Sequence, residues 1–410
     1  MESNIIVTKT QLNATELSSH QLKSTTWKPE MLSGVKKALA EMKIRTTLLS
    51  IIMKHFHNPI TVIKVLLKLD SLRRQVLGDH RLKKIAKIEG RHYWDLYTPG
   101  CPSPAFTRYI EGEINRLVPQ NIGGNRFSNV FMAITKKCGL QCEHCYEWES
   151  LNKKETLDLD HLKEIVGELQ RKGIGQIQFS GGEPLLRLDE LCNIMESAHP
   201  TTEFWINTSG HKLTDANARK LRASGLKGAT ISLDHFNAYE HNRFRGNEKS
   251  YQWALSAIEN AQRNNIVTGL SLCVTQNFTT KGNLMQYLEL ARTLGVSFIQ
   301  VLEPRAVGHY KGRHVDLEPG QIKLLHEFYT EVNSSKKYRN YPIITYHGYH
   351  QRNVGCFGSG NRSFYIDTDG DMHACPFCQK KSGSASPTCF DASLQNLRNI
   401  GCHAFEVSDI

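Results

Sequence analysis

The sequence predicts an α/β protein built around a parallel sheet. From Asn129 onward, short apolar runs alternate with segments of helical periodicity, which is the pattern of consecutive βα units. Glycines, hydroxyls, carboxylates and cysteines follow several of the predicted strands, at the ends where barrels of parallel strands place their chemistry. With 410 residues and 40% hydrophobic content, the chain is long enough for two to three domains with a sizeable core.

Six strands and five intervening helices are expected from this alternation. The predicted strands are 129–134, 176–180, 204–208, 229–233, 268–275 and 297–302. The predicted helices are 159–171, 188–198, 215–224, 251–264 and 282–294.

A cysteine triplet follows the first predicted strand directly. Cys138, Cys142 and Cys145 form a CxxxCxxC pattern on one short loop. Three thiolates can bind three irons of a [4Fe-4S] cluster and leave the fourth iron open, whereas an electron-transfer cluster is normally closed by a fourth cysteine. The pattern therefore indicates chemistry at the iron, with a zinc site or a group of reduced thiols as the alternatives.

Polar residues follow the next strands. Gly181-Gly182-Glu183-Pro184 comes after the second strand, and paired glycines let a backbone approach a ligand while a carboxylate accepts from an ammonium group. An ordinary strand-to-helix turn is the alternative. Thr208 ends the third strand, and Ser232 and Asp234 end the fourth, where a hydroxyl and a carboxylate suit ribose hydroxyls.

These motifs, in this order, resemble those of the radical SAM superfamily. The resemblance implies a partial (β/α)6 TIM-type barrel with a [4Fe-4S] cluster, whose open iron is chelated by S-adenosylmethionine (SAM). Cys138, Cys142 and Cys145 would be the cluster ligands and the catalytic centre.

The resemblance also assigns SAM-binding roles. The expected SAM-binding residues are Gly181, Gly182 and Glu183 for the amine, Ser232 and Asp234 for the ribose, Arg245 for the carboxylate, and in addition Thr208 and His144. His144 precedes the last cysteine of the triplet, where the family often places an aromatic side chain against adenine. A hydrogen-bonded loop histidine is the alternative for this position.

A second group of cysteines lies in the last 55 residues: Cys356, Cys375, Cys378, Cys389 and Cys402. Residues 361–374 between the first two alternate in polarity and turn at Asp369-Gly370, which predicts a hairpin.

This region resembles the SPASM/twitch extension of radical SAM enzymes. Five cysteines are too few for two auxiliary clusters, so one auxiliary [4Fe-4S] cluster is expected, held by Cys356, Cys375, Cys378 and a fourth cysteine. We favour Cys402 over Cys389 because a helix end fixes a ligand better than a loop. A structural Cys₄ zinc site is the alternative.

The N-terminal part differs from the rest in charge and pattern. Residues 1–100 hold 17 Lys/Arg against 8 Asp/Glu, so +9 of the net charge of +11 lies there. Asn58-Pro59 predicts a helix start, followed by apolar residues at helical spacing with lysines between them. This helical appendage is expected to pack on the barrel with its lysines in solvent; membrane-surface docking and substrate recruitment are the alternatives. Residues 93–104 are expected to wrap around the barrel.

The expected organisation is a basic, mostly helical extension at 1–125, a radical SAM barrel at 126–335 and an auxiliary-cluster domain at 336–410. Neither a secretion signal nor a run of apolar residues long enough for a membrane span is evident, which predicts a cytoplasmic protein. The near-neutral core argues against nucleic acid as a partner. A flavodoxin- or ferredoxin-type electron donor is implied by the resemblance.

The expected activity is reductive cleavage of SAM to a 5′-deoxyadenosyl radical, which abstracts hydrogen from a substrate. A peptide or protein side chain is the favoured substrate. A small molecule, such as a sugar, a cofactor precursor or a lipid headgroup, is the alternative. A non-enzymatic zinc-binding nucleic-acid module is the alternative of a different class.

Overall fold

The computed structural model describes residues 29–77, 80–118, 127–356 and 358–401, and a ten-stranded sheet forms its centre. The strand order is β10-β9-β8-β7-β6-β5-β4-β11-β12-β13. From β10 to β11 every neighbouring pair is parallel, and the last two pairs are antiparallel. An α/β fold with a mostly parallel sheet is therefore confirmed.

The strands are β1 Glu30–Leu32, β2 Ile85–Ile88, β3 Arg91–Tyr93, β4 Asn129–Ala133, β5 Gln176–Ser180, β6 Glu203–Thr208, β7 Leu226–Ser232, β8 Val267–Cys273, β9 Phe298–Leu302, β10 Ile343–Tyr346, β11 Ser363–Ile366, β12 Asp371–His373 and β13 Gly383–Ser384. The α-helices are α1 Gly34–His55, α2 Pro59–Leu77, α3 Pro104–Leu117, α4 Leu159–Arg171, α5 Leu188–Ser197, α6 Asp215–Ala223, α7 Ala238–Arg245, α8 Ser250–Arg263, α9 Lys281–Leu294, α10 Pro319–Ser334, α11 His347–Val354 and α12 Phe390–Ile400. Three short 3₁₀ helices in the described chain are Pro184–Arg187, Gly308–Tyr310 and Lys336–Tyr338.

The six strands expected from the sequence correspond to β4 through β9, and the five expected helices to α4, α5, α6, α8 and α9. Two further strands join the parallel part of the sheet: β10, which was not predicted, lies beside β9, and β11, the first strand of the predicted hairpin, lies beside β4. The sheet is therefore wider than six units. Both additional strands lie beyond the predicted boundary at residue 336, so the sheet continues across that boundary.

Side chains alternate along the strands, so that one side of the sheet is apolar and packs against the helices while the other side is polar and faces the interior. Ile177 and Phe179 of β5 pack with the surrounding helices in the main hydrophobic cluster, whereas Gln176 and Gln178 point the other way. Side-chain caps fix where the outer helices begin; the Asp158 side chain, for example, accepts from the backbone N–H of His161 at the start of α4.

The segment that follows β3 packs against the inward-facing side of the sheet. Residues 93–104 were expected to wrap around the outside of the barrel, so that expectation is wrong for this segment. Leu96 and Tyr97 pack against the first inward-facing residues of three strands, among them Val267 and Phe298. Gln176 donates to the Leu96 carbonyl at 3.3 Å. This segment closes the end of the sheet where the strands begin, so the other end is left for chemistry.

The N-terminal elements form a layer of their own. Strands β1, β2 and β3 make a small antiparallel sheet, and the inner faces of α1, α2 and α3 share one hydrophobic cluster. Within the part of the chain that the structure describes, none of the helices combines the length and apolar content required to cross a membrane.

A hairpin ties the C-terminal part to the cysteine loop. Strands β11 and β12 pair antiparallel around Gly370, whose φ is +83°. At the hairpin tip, Asp369 accepts from the Lys136 ammonium at 2.5 Å and from the Thr156 hydroxyl at 2.7 Å. The hairpin is therefore held against the segment that leads into the first cysteine triplet.

Candidate active site

The loop after β4 gathers the three cysteines of the triplet. Neighbouring segments hold its backbone: Gln141 N–H donates to the Arg245 carbonyl at 3.2 Å, and Cys138 N–H donates to the Asn152 side chain at 3.0 Å. Burial, followed by the neighbouring thiols and carboxylates, raises the pKa of Cys138 to about 11 and that of Cys145 to about 12.

The Cys142 thiol, which is buried, has a cationic partner. Burial raises its pKa, and the Arg245 guanidinium, with Nη1 3.5 Å from Cys142 Sγ, opposes that rise. Three thiols lie together on one loop, with a buried cation beside one of them. This arrangement suits a metal centre that is bound by cysteine thiolates.

Among the described residues, no three His, Cys, Asp or Glu side chains converge closely enough to coordinate one metal ion. In a [4Fe-4S] cluster each cysteine binds its own iron, so the thiolates need not meet at one point.

The glycine pair after β5 packs against the beginning of the cysteine loop. Gly182 N–H donates to the Thr135 carbonyl at 2.7 Å, and Glu183 N–H donates to the Lys137 carbonyl at 2.8 Å. A Cβ atom at Gly182 would lie 2.2 Å from the Lys137 carbonyl oxygen. The close approach that requires Gly182 is thus an approach to the cysteine loop itself.

The Glu183 carboxylate links the ends of β5 and β6. Its Oε1 accepts from Leu185 N–H at 3.2 Å and from the Thr208 hydroxyl at 2.7 Å. Its Oε2 accepts from the N–H of Ser209 at 2.9 Å and from the Ser209 hydroxyl at 2.5 Å. These bonds fill the four acceptor sites of a carboxylate, so an incoming ammonium group must displace a hydroxyl. Ser209 was not predicted as a site residue, although it lies beside Thr208 in the sequence.

The Asp234 carboxylate pairs with Arg245 in the interior. Arg245 Nε donates to Asp234 Oδ2 at 2.6 Å, and Cys273 N–H donates to Oδ1 at 3.0 Å. Burial alone would raise the pKa of Asp234, but the charge of Arg245, together with smaller effects of His144, His241 and the Cys273 N–H, holds the pKa below its ordinary value. One guanidinium therefore joins the end of β7 to Cys142 of the triplet.

His144 and Ser232 lie beside this pair. The His144 ring stacks on Phe244 with centroids 4.8 Å apart, and its Nδ1 is buried without a hydrogen-bond partner. Burial, followed by the charge of Arg245, lowers the pKa of His144 to about 4, so the ring is neutral at physiological pH. Ser232 ends β7, half-buried. His144 therefore lacks, at Nδ1, the hydrogen bond that the alternative of a hydrogen-bonded loop histidine would require.

The 3₁₀ helix after β9 packs on the cysteine loop and was not predicted as part of the site. His309 N–H donates to the Cys145 carbonyl and its Nδ1 contacts the Cys142 carbonyl, both at 2.9 Å. The His309 ring stacks on Trp148 with centroids 3.8 Å apart. A Cβ atom at Gly308 would lie 2.2 Å from the Cys145 carbonyl oxygen. No short sequence pattern indicates these contacts, because they join segments about 160 residues apart.

The second cysteine group is partly assembled. Cys375 Sγ lies 3.5 Å from Cys378 Sγ, and the hydrogen bond between them lowers the pKa of Cys375, against the opposing effects of burial and of nearby Cys356. Cys389, expected in a loop, instead lies at the start of α12, where it is exposed and its sulfur contacts the Thr388 hydroxyl at 3.7 Å. Cys402, the preferred fourth ligand, lies outside the described residues.

Aromatic rings connect the two cysteine groups. Tyr146, directly after Cys145, meets the ring of Phe377 edge-on with centroids 6.1 Å apart, and Phe377 lies between Cys375 and Cys378 in the chain. Tyr146 also meets Tyr365 of β11 at 5.8 Å. The two groups are therefore neighbours at the same end of the sheet.

The sheet interior contains polar atoms that the protein itself does not satisfy. Gln178 Oε1 and Thr230 Oγ1 are buried without a hydrogen-bond partner. Deeper inside, the Tyr97 hydroxyl accepts from Gln300, and the Tyr97 ring lies 4.6 Å from that of His347. Buried polar atoms normally have partners, so these two atoms are candidates for contact with a polar ligand.

Comparisons with known proteins find one matching family profile and several similar proteins. A family profile described as "Radical SAM superfamily" matches residues 132–291, the stretch from β4 into α9. The chain is 27% identical over 278 residues to the mycofactocin maturase MftC of Mycolicibacterium smegmatis, which covers 64% of this chain and 68% of that protein. It is 26% identical over 291 residues to the AdoMet-dependent heme synthase of Methanosarcina barkeri, covering 64% and 80%.

A solved structure is similar in fold. Streptococcus suis SuiB bound to precursor peptide SuiA superposes with a TM-score of 0.54 at 13% identity, over 74% of this chain and 72% of that chain. At this identity the likeness concerns the fold alone.

Proposed function

Since this chain is a radical SAM enzyme that uses SAM and a [4Fe-4S] cluster, we propose that it oxidises a side chain of a peptide or protein. When bound, SAM and the cluster supply a 5′-deoxyadenosyl radical that removes a hydrogen atom from the substrate. An external electron donor of the flavodoxin or ferredoxin type supplies the electron for this cleavage.

The residues around the first cysteine group would divide the binding of these cofactors. Cys138, Cys142 and Cys145 would hold the cluster. Arg245 has five N–H donors, of which Asp234 uses one and Cys142 another, so the others can donate to the SAM carboxylate.

The remaining SAM contacts are proposed as follows. Glu183 and its glycines would face the SAM amine once the Thr208 or Ser209 hydroxyl gives way. Ser232, with Asp234, would bind the ribose. The unpartnered Nδ1 of His144 is available to the adenine.

The second cysteine group supports an oxidative outcome. Removing a hydrogen atom leaves the substrate with one unpaired electron, and a stable oxidised product requires loss of that electron and of a proton. Cys356, Cys375, Cys378 and a fourth cysteine would hold an auxiliary [4Fe-4S] cluster, which can supply an electron acceptor. The contact between Phe377 and Tyr146 carries this proposal, because it brings the second cysteine group next to the loop of the first cysteine triplet.

A peptide substrate is supported by the relatives. MftC is named a maturase, and SuiB was solved with a precursor peptide. A small-molecule substrate remains the second candidate, supported by the relative named a heme synthase. The family match supports an enzyme and leaves the alternative of a non-enzymatic zinc module without support.

The proposal is tested with short peptides encoded beside the gene. The anaerobically reconstituted enzyme is incubated with SAM, a reductant and each peptide, and both 5′-deoxyadenosine and peptide mass are measured. We expect one peptide to stimulate deoxyadenosine release and to lose two hydrogens.

Replacing Cys375 and Cys378 by alanine separates the two proposed steps. The double variant should still release deoxyadenosine, but the oxidised peptide should no longer form. If no encoded peptide changes in mass while a small molecule stimulates deoxyadenosine release and is converted, the peptide assignment is wrong.

A further inference from the structure

The outer faces of α1 and α2 expose an apolar surface that no other part of the described chain covers. Among the described residues, eight of the nine exposed large hydrophobic side chains lie on these two helices, with exposed fractions of 38 to 78%. They are Val35, Leu39, Met42, Leu49 and Met53 on α1 and Ile60, Ile63 and Leu67 on α2. We call these eight side chains the outer apolar face.

The spacing shows a stripe along each helix rather than scattered exposure. On α1 the exposed residues follow one another at intervals of four, three, seven and four, and on α2 at three and four, which keeps each set on one side of its helix. The opposite sides, including Ile44 and Ile52 of α1 and Val65 of α2, pack into the shared hydrophobic cluster. Both helices are therefore apolar on two sides, and their outer sides point away from the same core.

Basic residues border the outer apolar face. Helices α1 and α2 together hold nine Lys/Arg and two Asp/Glu. Lys36, Lys43 and Lys54 are exposed and, at intervals of seven and eleven, share one flank of the α1 stripe. An aliphatic stripe beside a cationic flank matches the two layers of an anionic lipid surface, acyl chains and headgroups.

We propose that α1 and α2 dock this enzyme on an anionic membrane surface. The helices, 22 and 19 residues long, would lie in the plane of the interface, with the outer apolar face in the acyl boundary and the lysines at the headgroups. A second copy of the chain is a poorer occupant, because two helix pairs that each carry a net charge of +7 would repel one another. Nucleic acid would leave the aliphatic stripe in water.

The test is flotation of the full chain with vesicles of phosphatidylglycerol and phosphatidylcholine in equal amounts, compared with phosphatidylcholine alone. We expect the protein to float with the anionic vesicles at low salt, and much less with the neutral ones. The double substitution Leu39→Glu and Ile63→Glu should weaken partitioning roughly tenfold or more. Lys36→Gln, Lys43→Gln and Lys54→Gln together should lower binding to anionic vesicles and reduce its salt dependence.

A control is Tyr239→Glu, which places one glutamate at an exposed large hydrophobic residue outside the two helices. It should leave flotation unchanged. The proposal is wrong if the chain does not bind anionic vesicles, or if the helix variants bind as well as the unmodified protein. It is also wrong if analytical ultracentrifugation shows a dimer that the Leu39→Glu and Ile63→Glu changes dissociate.

Discussion

Arg245 and Asp234 form a buried ion pair, with Nε 2.6 Å from Oδ2, and neither side chain is more than 9% exposed. The same guanidinium reaches Cys142 Sγ at 3.5 Å. This pair connects the end of β7 to the cysteine loop, so its loss should affect both the stability of the fold and the position of the loop.

Asp234→Asn should destabilise the protein strongly, because it leaves the buried Arg245 without its counter-charge. Breaking a buried pair from one side costs about 3–5 kcal/mol. Urea unfolding of the anaerobically purified chain measures the change. The control is Glu259→Gln, which removes an exposed pair with Arg263 on α8 and should cost roughly 0.2–1 kcal/mol. Equal losses for the two variants would show that the buried pair has no special role.

Gly308→Ala should disrupt the cysteine loop. The new Cβ would lie 2.2 Å from the Cys145 carbonyl oxygen, and that backbone cannot move without displacing the loop. Gly312→Ala is a matched control, because Gly312 also has a positive φ but nothing lies within 4 Å of its added Cβ. Iron and sulfide analysis should therefore show lower cluster content for the Gly308 variant than for the Gly312 variant. The same content in both would show that the contact is unimportant.

The buried His241 should make stability depend on pH. Burial, opposed by the nearby Asp234 charge, lowers its pKa to about 4, and its Nδ1 accepts from Asp234 N–H at 3.0 Å. In the unfolded chain a histidine titrates near about 6.5, so the unfolded state binds the extra proton between these values. Its contribution is present above about pH 6.5 and is lost as the pH falls toward about 4.

His241→Asn keeps an acceptor for that bond but does not titrate. As the pH falls from about 6.5 to about 4, the unfolding free energy of the unmodified protein should decrease by up to about 3 kcal/mol more than that of the variant. Changing the exposed His314 to asparagine should leave the pH dependence as it was. Parallel curves for the unmodified protein and the His241 variant would contradict this account.

The fourth ligand of the second cysteine group can be tested by two single changes. Cys402→Ser should lower the iron content by up to about four per chain, because that group would lose a ligand. Cys389→Ser should leave it unchanged, since Cys389 is exposed at the start of α12. The reverse outcome would assign Cys389 instead.

The sequence predicted the parts of the fold that depend on local pattern. Strands β4 to β9 and the helices between them have strong apolar periodicity, so they were found within a few residues of their true ends. Strand β10, with four residues, and the short helix α7 lack such a pattern and were missed. The placement of Leu96 and Tyr97 inside the sheet depends on contacts with distant strands, which no local pattern encodes.

Site residues that directly follow a strand could be predicted from the sequence. Site residues that depend on contacts between distant segments could not. The glycines and Glu183 were located by their position after β5. Their hydrogen bonds to the cysteine loop and to Ser209 could not be inferred, because they depend on how neighbouring strand ends meet. His309 reaches the loop from the end of β9, and its sequence neighbours give no indication of that role.

The most direct test of the central claim replaces Cys138, Cys142 and Cys145 together by alanine and measures 5′-deoxyadenosine release from SAM under anaerobic, reducing conditions. The account predicts that release is abolished and that the iron content falls from about eight to about four per chain, with the remainder held by the second cysteine group. Deoxyadenosine formation at the rate of the unmodified protein, with its iron content unchanged, would contradict the account.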